Sequence, residues 1–174
     1  MKKLMIIILA VLFLISCNHE YQGVPESYHK LLDIAIEQAG DNAEEIKKAI
    51  SESPAEQKEG MAFLISYMPE RDLTSLGADF LLENVEYAYR AREEFSWCKN
   101  LPDSIFFNEV LPYANTSEDR DPWRKDFYER FSLIVKDCEN IVDAIYTINK
   151  PINTEVKVEY DTRRSRVDAS PKQS

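Results

Sequence analysis

Four glycines, two histidines and three cysteines are all that this 174-residue chain holds of residue types on which much protein chemistry depends. Four scattered glycines exclude a Gly-rich loop cradling a phosphate. His19 and His29 both fall near the N-terminus, so no zinc spacing with paired histidines can be written, and Cys-x-x-Cys is absent too. A nucleophile with histidine and acid partners cannot be assembled either. No metal, cofactor or catalytic residue is therefore expected. Basic residues are also in deficit, 21 against 31 acidic, for a net charge of −10. That balance excludes nucleic acid as a partner, because phosphate binding needs clustered Lys and Arg. A membrane-crossing run is lacking as well. The apolar stretch Leu4 to Ile15 has twelve residues, whereas a spanning helix needs about 20.

What that stretch does have is the build of an export signal. Met1-Lys2-Lys3 gives a positive start, the apolar core follows, and Ser16 supplies the small residue. Leu14-Ile15-Ser16-Cys17 has the order of a lipobox, in which the cysteine receives diacylglycerol. Residues 1–16 are thus expected to be a cleaved lipoprotein signal, with lipid on Cys17. At roughly 0.8 kcal/mol per buried methylene, two or three acyl chains would hold the chain durably on a membrane. Asn18 rather than Asp follows Cys17, and no acidic run comes next. The expected location is the bacterial cell envelope, on the outer membrane facing the periplasm. Residues 17–26 read as a polar tether. Loss of Lys2 and Lys3 leaves 19 basic residues against 31 acidic ones, a mature charge of −12 over 158 residues.

Residues 27–150 read as one helical domain. Tyr28, Leu31, Leu32, Ala35, Ile36 and Ala39 form a helical stripe ended by Gly40. Asp41 can cap a second helix bearing Ile46 and Ile50. Ser53-Pro54-Ala55-Glu56 has the pattern of a capping box with proline at the first helical position. Met61, Leu64, Ile65 and Met68 would be the buried face of the helix it opens, and Pro69 its stop. A longer helix is expected from Asp79 to Phe95, buried through Leu81, Leu82, Val85, Ala88 and Tyr89, with Glu86 and Arg90 spaced for a surface pair. Asn100 to Asp103 then breaks the pattern. After the polar stretch Ala114 to Asp121, a stripe of Trp123, Phe127, Phe131, Val135, Cys138, Val142 and Ile145 predicts a helix to about Asn149. Such a helix would be about 40 Å long, long enough to invite a bend or break.

Beyond Pro151 the texture changes. Val156-Lys157-Val158-Glu159-Tyr160 alternates as a half-buried strand does, and a polar tail follows. The expected fold class is therefore mainly α, an irregular helical bundle with one C-terminal β-strand. A lone strand has no partner in a helical chain, so residues 151–174 read as the start of a sheet-containing domain.

Candidate site residues are few. Tyr113, Trp123 and Arg124 could line a surface groove, and Glu118 lies in the acidic loop Glu118-Asp119-Arg120-Asp121 just ahead of them. The ordinary reading of that loop is negative charge favoured ahead of a helix N-terminus, and of Trp123 a core anchor. Export would permit a disulfide between Cys98 and Cys138, while two buried free thiols are the other reading. Cys138 lies on an apolar stripe, which favours packing over reactivity.

The chain resembles the N-terminal helical region of bacterial transglutaminase-like lipoproteins. The pieces that carry the likeness begin with Met61 to Pro69 and Asp72-Leu73. They continue with Asp79 to Val85, Ala88 to Arg92, Leu111-Pro112-Tyr113, Trp123-Arg124 with Phe127, and Asn149. Tyr160-Asp161, Arg163 to Ser165 and Ser170-Pro171 complete the set. The resemblance implies a helical module ahead of a papain-like α+β domain whose cysteine attacks an amide carbonyl, aided by a histidine and an aspartate. No residue here matches that cysteine, histidine or aspartate, so the catalytic domain would lie beyond this chain and no activity is expected of it alone. The other reading is a non-enzymatic lipoprotein that binds a peptide, glycan or envelope protein partner.

Overall fold

The computed structural model describes residues 21–115 and 118–155. They are mainly helical, and no strand occurs among them. The expected signal, Cys17 and the strand at Val156 to Tyr160 lie outside the described residues. The described chain forms two compact units divided between Leu76 and Gly77, a division inside the stretch read as one helical domain.

In the first unit, α1 (Glu26–Ala39) ends at Gly40, whose φ of +55° is one that residues with a Cβ rarely adopt. A 3₁₀ turn leads into α2 (Ala43–Glu52). Asn42, next to the expected cap Asp41, precedes this helix; its side-chain amide donates instead to the carbonyls of Leu73 (2.8 Å) and Leu76 (2.9 Å). The Ser53 capping box does not form. Ser53 is buried, and its hydroxyl donates back to Ala49 O at 2.8 Å, closing α2 rather than opening the next helix. Pro54 starts a 3₁₀ turn, and α3 (Lys58–Tyr67) begins only after it. The ammonium of Lys58 completes the end of α2 by donating to Ile50 O (2.7 Å) and Ser51 O (3.0 Å). Pro69 ends α3 as expected, and the one-turn helix α4 (Glu70–Leu73) follows it at once.

Leu32, Ile46, Met61, Ile65 and Leu73 are fully buried in this unit. The end of the expected tether joins it. Val24 is buried, its carbonyl pairs with His29 Nε2 at 3.1 Å, and Tyr21 OH donates to Asp33 at 2.7 Å.

The second unit opens with α5 (Ala78–Glu94). Its inner face carries Leu81, Val85, Ala88 and Tyr89 as expected, together with Asn84 and Tyr87. Leu82 is only half-buried. Arg90 forms its ion pair with Glu94 at 3.8 Å rather than with Glu86, and stands over the rings of Tyr87 and Tyr128. The helix stops at Glu94, ahead of Asn100 to Asp103, because Phe95 turns extended into the core. A short helix α6 (Asp103–Ile105) widens into a π turn, Phe106–Val110, that buries Phe106 and Phe107.

The expected long helix is two. α7 (Trp123–Val135) and α8 (Ile141–Glu155) are separated by a break at residues 136–140. Val135, Cys138 and Ala144 pack with Phe95 and Cys98 in one core cluster, with Trp97, Tyr128 and Ile148 against it. The break resets the helical phase. Val142 and Ile145, read as inner-face residues, are 57% and 58% exposed, and Ala144 and Ile148 take the inner face. α8 also runs through Pro151, so residues 151–155, read as the start of the strand-bearing segment, are helical, although an interior proline forfeits one ladder hydrogen bond and crowds the carbonyl of the preceding turn.

Candidate functional site

The site grows from the N-terminus of α7. Arg124, in its first turn, reaches back to the segment that follows the π turn. Its Nη2 donates to Val110 O (2.7 Å) and Pro112 O (2.8 Å), with Leu111 O farther at 3.4 Å. Its Nε donates to Asn84 Oδ1 at 2.7 Å, and the amide of Asn84 donates in turn to Leu111 O at 2.8 Å. Trp123 completes the clamp by donating its indole N–H to Tyr113 O at 2.7 Å. Val110 ends the π turn and residues 111–113 follow it outside any helix, so these side chains satisfy carbonyls that would otherwise be stranded.

This assembly walls a cavity of about 490 Å³. Tyr113, Glu118, Trp123 and Arg124 all line it, so the four residues singled out from the sequence lie around one space. Glu109 and Asn115 contribute to the same wall. Tyr113 is buried, with its ring edge-on to Phe80 at 5.4 Å and the Arg120 guanidinium over it at 5.7 Å. The Glu118 carboxylate accepts from the backbone N–H of Asn115 (2.8 Å) and its side-chain amide (3.1 Å), while Arg120 donates to the carbonyls of Asn115 and Glu118. The acidic loop is thus a folded turn on the cavity rim.

Electrostatically the cavity is mixed. Burial pulls Arg124 down to about 10, since withdrawing a guanidinium from water disfavours its charged form. Every acceptor it has found is neutral. Asn84, which the sequence reading passed over, is the residue that orients Arg124. Its signal was present: it is a polar residue three positions after Leu81 and four before Ala88, on the apolar face of α5.

Cys98 and Cys138 are both buried free thiols in one core cluster, distinct from this cavity. Burial pushes the Cys98 thiol up to about 11. Among the described residues no group of three or more His, Cys, Asp or Glu could hold a metal, and no described helix is long and apolar enough to cross a membrane. Comparison with family models, curated proteins and solved structures gives no match.

Proposed function

We propose that this chain is a lipid-anchored envelope protein that binds a peptide-like or glycan partner in the cavity beside α7. The observation that carries the reading is the cavity wall itself. Aromatic surface from Tyr113 and Trp123 stands beside a few fixed polar groups of Arg124, Glu118 and Asn115, the make-up typical of small-ligand sites. Its volume, about 490 Å³, lies within the range of such sites. Lipid on Cys17 would keep the site close to envelope substrates.

The test is a titration of the full chain in detergent with pooled short peptides and pooled oligosaccharides, read by Trp fluorescence. Binding should shift the spectrum, and Trp123→Phe should remove the shift. A flat response to both pools defeats the reading.

A second reading is that the chain is the leading helical module of a transglutaminase-like protein. It is favoured by the way Leu111-Pro112-Tyr113 and Trp123-Arg124, two separate pieces of the resemblance, join in one clamp. Residues that form a single structural device are the ones a family would share as a set. Genomic sequence past the Ser174 codon tests it: an open frame supplying a cysteine and later a histidine and an aspartate supports it, and unrelated sequence defeats it.

A further inference from the structure

Arg124 is part-buried, yet none of its hydrogen-bond acceptors is a carboxylate. It bonds Asn84 Oδ1 and the backbone carbonyls of Val110, Leu111 and Pro112. These bonds use Nε and Nη2, leaving Nη1 without a partner among the described residues. The guanidinium is held by neutral acceptors and stacks over the Trp123 ring at 4.7 Å, so no carboxylate bonds it directly, and burying such a charge is costly. It also lines an open cavity, where an anion would supply a charged partner. The first turn of α7, which carries Arg124, leaves backbone N–H groups that favour negative charge in the same region.

The remaining lining decides which anion. Glu109 and Glu118 stand on the same wall, and two carboxylates repel a phosphate or other polyanion. They tolerate a single negative charge, and attract a ligand that also carries an amine. The cavity is also far larger than an inorganic ion requires, and Val110, Pro112, Tyr113 and Trp123 give it apolar surface. With Nε and Nη2 engaged, Nη1 can still give a carboxylate oxygen a charge-assisted hydrogen bond.

We infer that the cavity takes the free α-carboxylate of a short peptide, seated on Nη1 of Arg124, with the peptide's amine drawn by Glu109 and Glu118. This rests on the reading of the cavity as a binding site and names the chemical class that fills it.

The chain has two tryptophans, which supplies a site-resolved assay. Trp123 lines the cavity, whereas Trp97 packs against the other core cluster and donates to Val135 O at 3.2 Å. The ¹⁵N-labelled full chain in detergent is titrated with pooled random tripeptides, with the same pool as C-terminal amides, with the pool N-acetylated, and with inorganic phosphate. The free pool should move the Trp123 indole resonance and leave that of Trp97 in place. Amidation should weaken binding at least ten-fold, acetylation by a smaller factor, and phosphate should bind more weakly than the free peptides. Glu118→Gln, on the rim turn, should narrow the gap between free and acetylated pools without altering the preference for a free carboxylate.

Equal binding of acid and amide pools overturns the carboxylate seat while leaving the cavity a binding site. Phosphate binding as tightly as the free pool overturns the peptide class in favour of a simple anion site. No movement of Trp123 with any peptide pool overturns both this inference and the peptide arm of the binding reading. The comparison rests on changes in the ligand, so it holds even where Arg124 cannot be replaced without loosening residues 110–113.

Discussion

At the residue scale, the thiol of Cys98 lies in the core cluster with Phe95, Val135 and Cys138, brought there because Phe95 leaves the helix and turns inward. A thiol pushed up to about 11 is protonated at ordinary pH, with roughly one molecule in a thousand ionised at pH 8. Native protein should therefore react with iodoacetamide at Cys98 far more slowly than the unfolded chain does. The sign of the pH effect follows from the same shift. The folded thiol has the higher pKa, so its contribution is fully present below about 9, the unfolded value, and fades as pH rises toward about 11. Denaturation midpoints measured across that window should fall for the native sequence and fall less for Cys98→Ala. Rapid alkylation of native Cys98 at pH 8 would contradict the burial assigned here.

At the scale of elements, the sequence specified where apolar residues recur and was silent on where backbone groups find partners. Helix α1 with its Gly40 end, and the face Met61, Leu64, Ile65 and Met68, followed from period and punctuation alone. The capping box at Ser53 does not form because Ser53 closes α2, its hydroxyl donating to Ala49 O, and Ala55–Gln57 make a 3₁₀ turn before α3 begins at Lys58, which a local motif cannot reveal. The division of the long C-terminal stripe was foreshadowed only by its length. Its cause is visible in Asn140, whose Oδ1 accepts the N–H groups of Val142 and Asp143, each at 3.0 Å. That is an N-cap, and it starts α8 in a new phase. Asn140→Ala should cost about 1 kcal/mol, read by chemical denaturation, with faster amide exchange in residues 141–144. An unchanged exchange rate there would mean that tertiary packing of Ala144 and Ile148, rather than the cap, sets the start of α8.

At the scale of the whole molecule, the candidate cavity could be read as a set of residues but not as a mechanism. Tyr113, Trp123 and Arg124 stood out by type and Glu118 by its acidic loop, yet nothing in their spacing disclosed that Asn84, 40 positions before Arg124, orients the guanidinium. Contacts of that range are written in three dimensions only. The cysteines show the same separation of scales and supply a test of the anchor. Cys98 and Cys138 are buried in the fold, closed to acylation, whereas Cys17 ends an apolar run of signal type. A bacterial host fed labelled palmitate should therefore incorporate it into the full chain, keep it in Cys98→Ser and Cys138→Ser, and lose it in Cys17→Ser. The Cys17→Ser chain should also fail to gain the mass of a diacylglyceryl group at its N-terminus. Label retained in Cys17→Ser, or absent from the native sequence, would remove the lipid anchor. The cavity would then belong to a protein free to diffuse, and its ligand would have to be sought without the membrane as a guide.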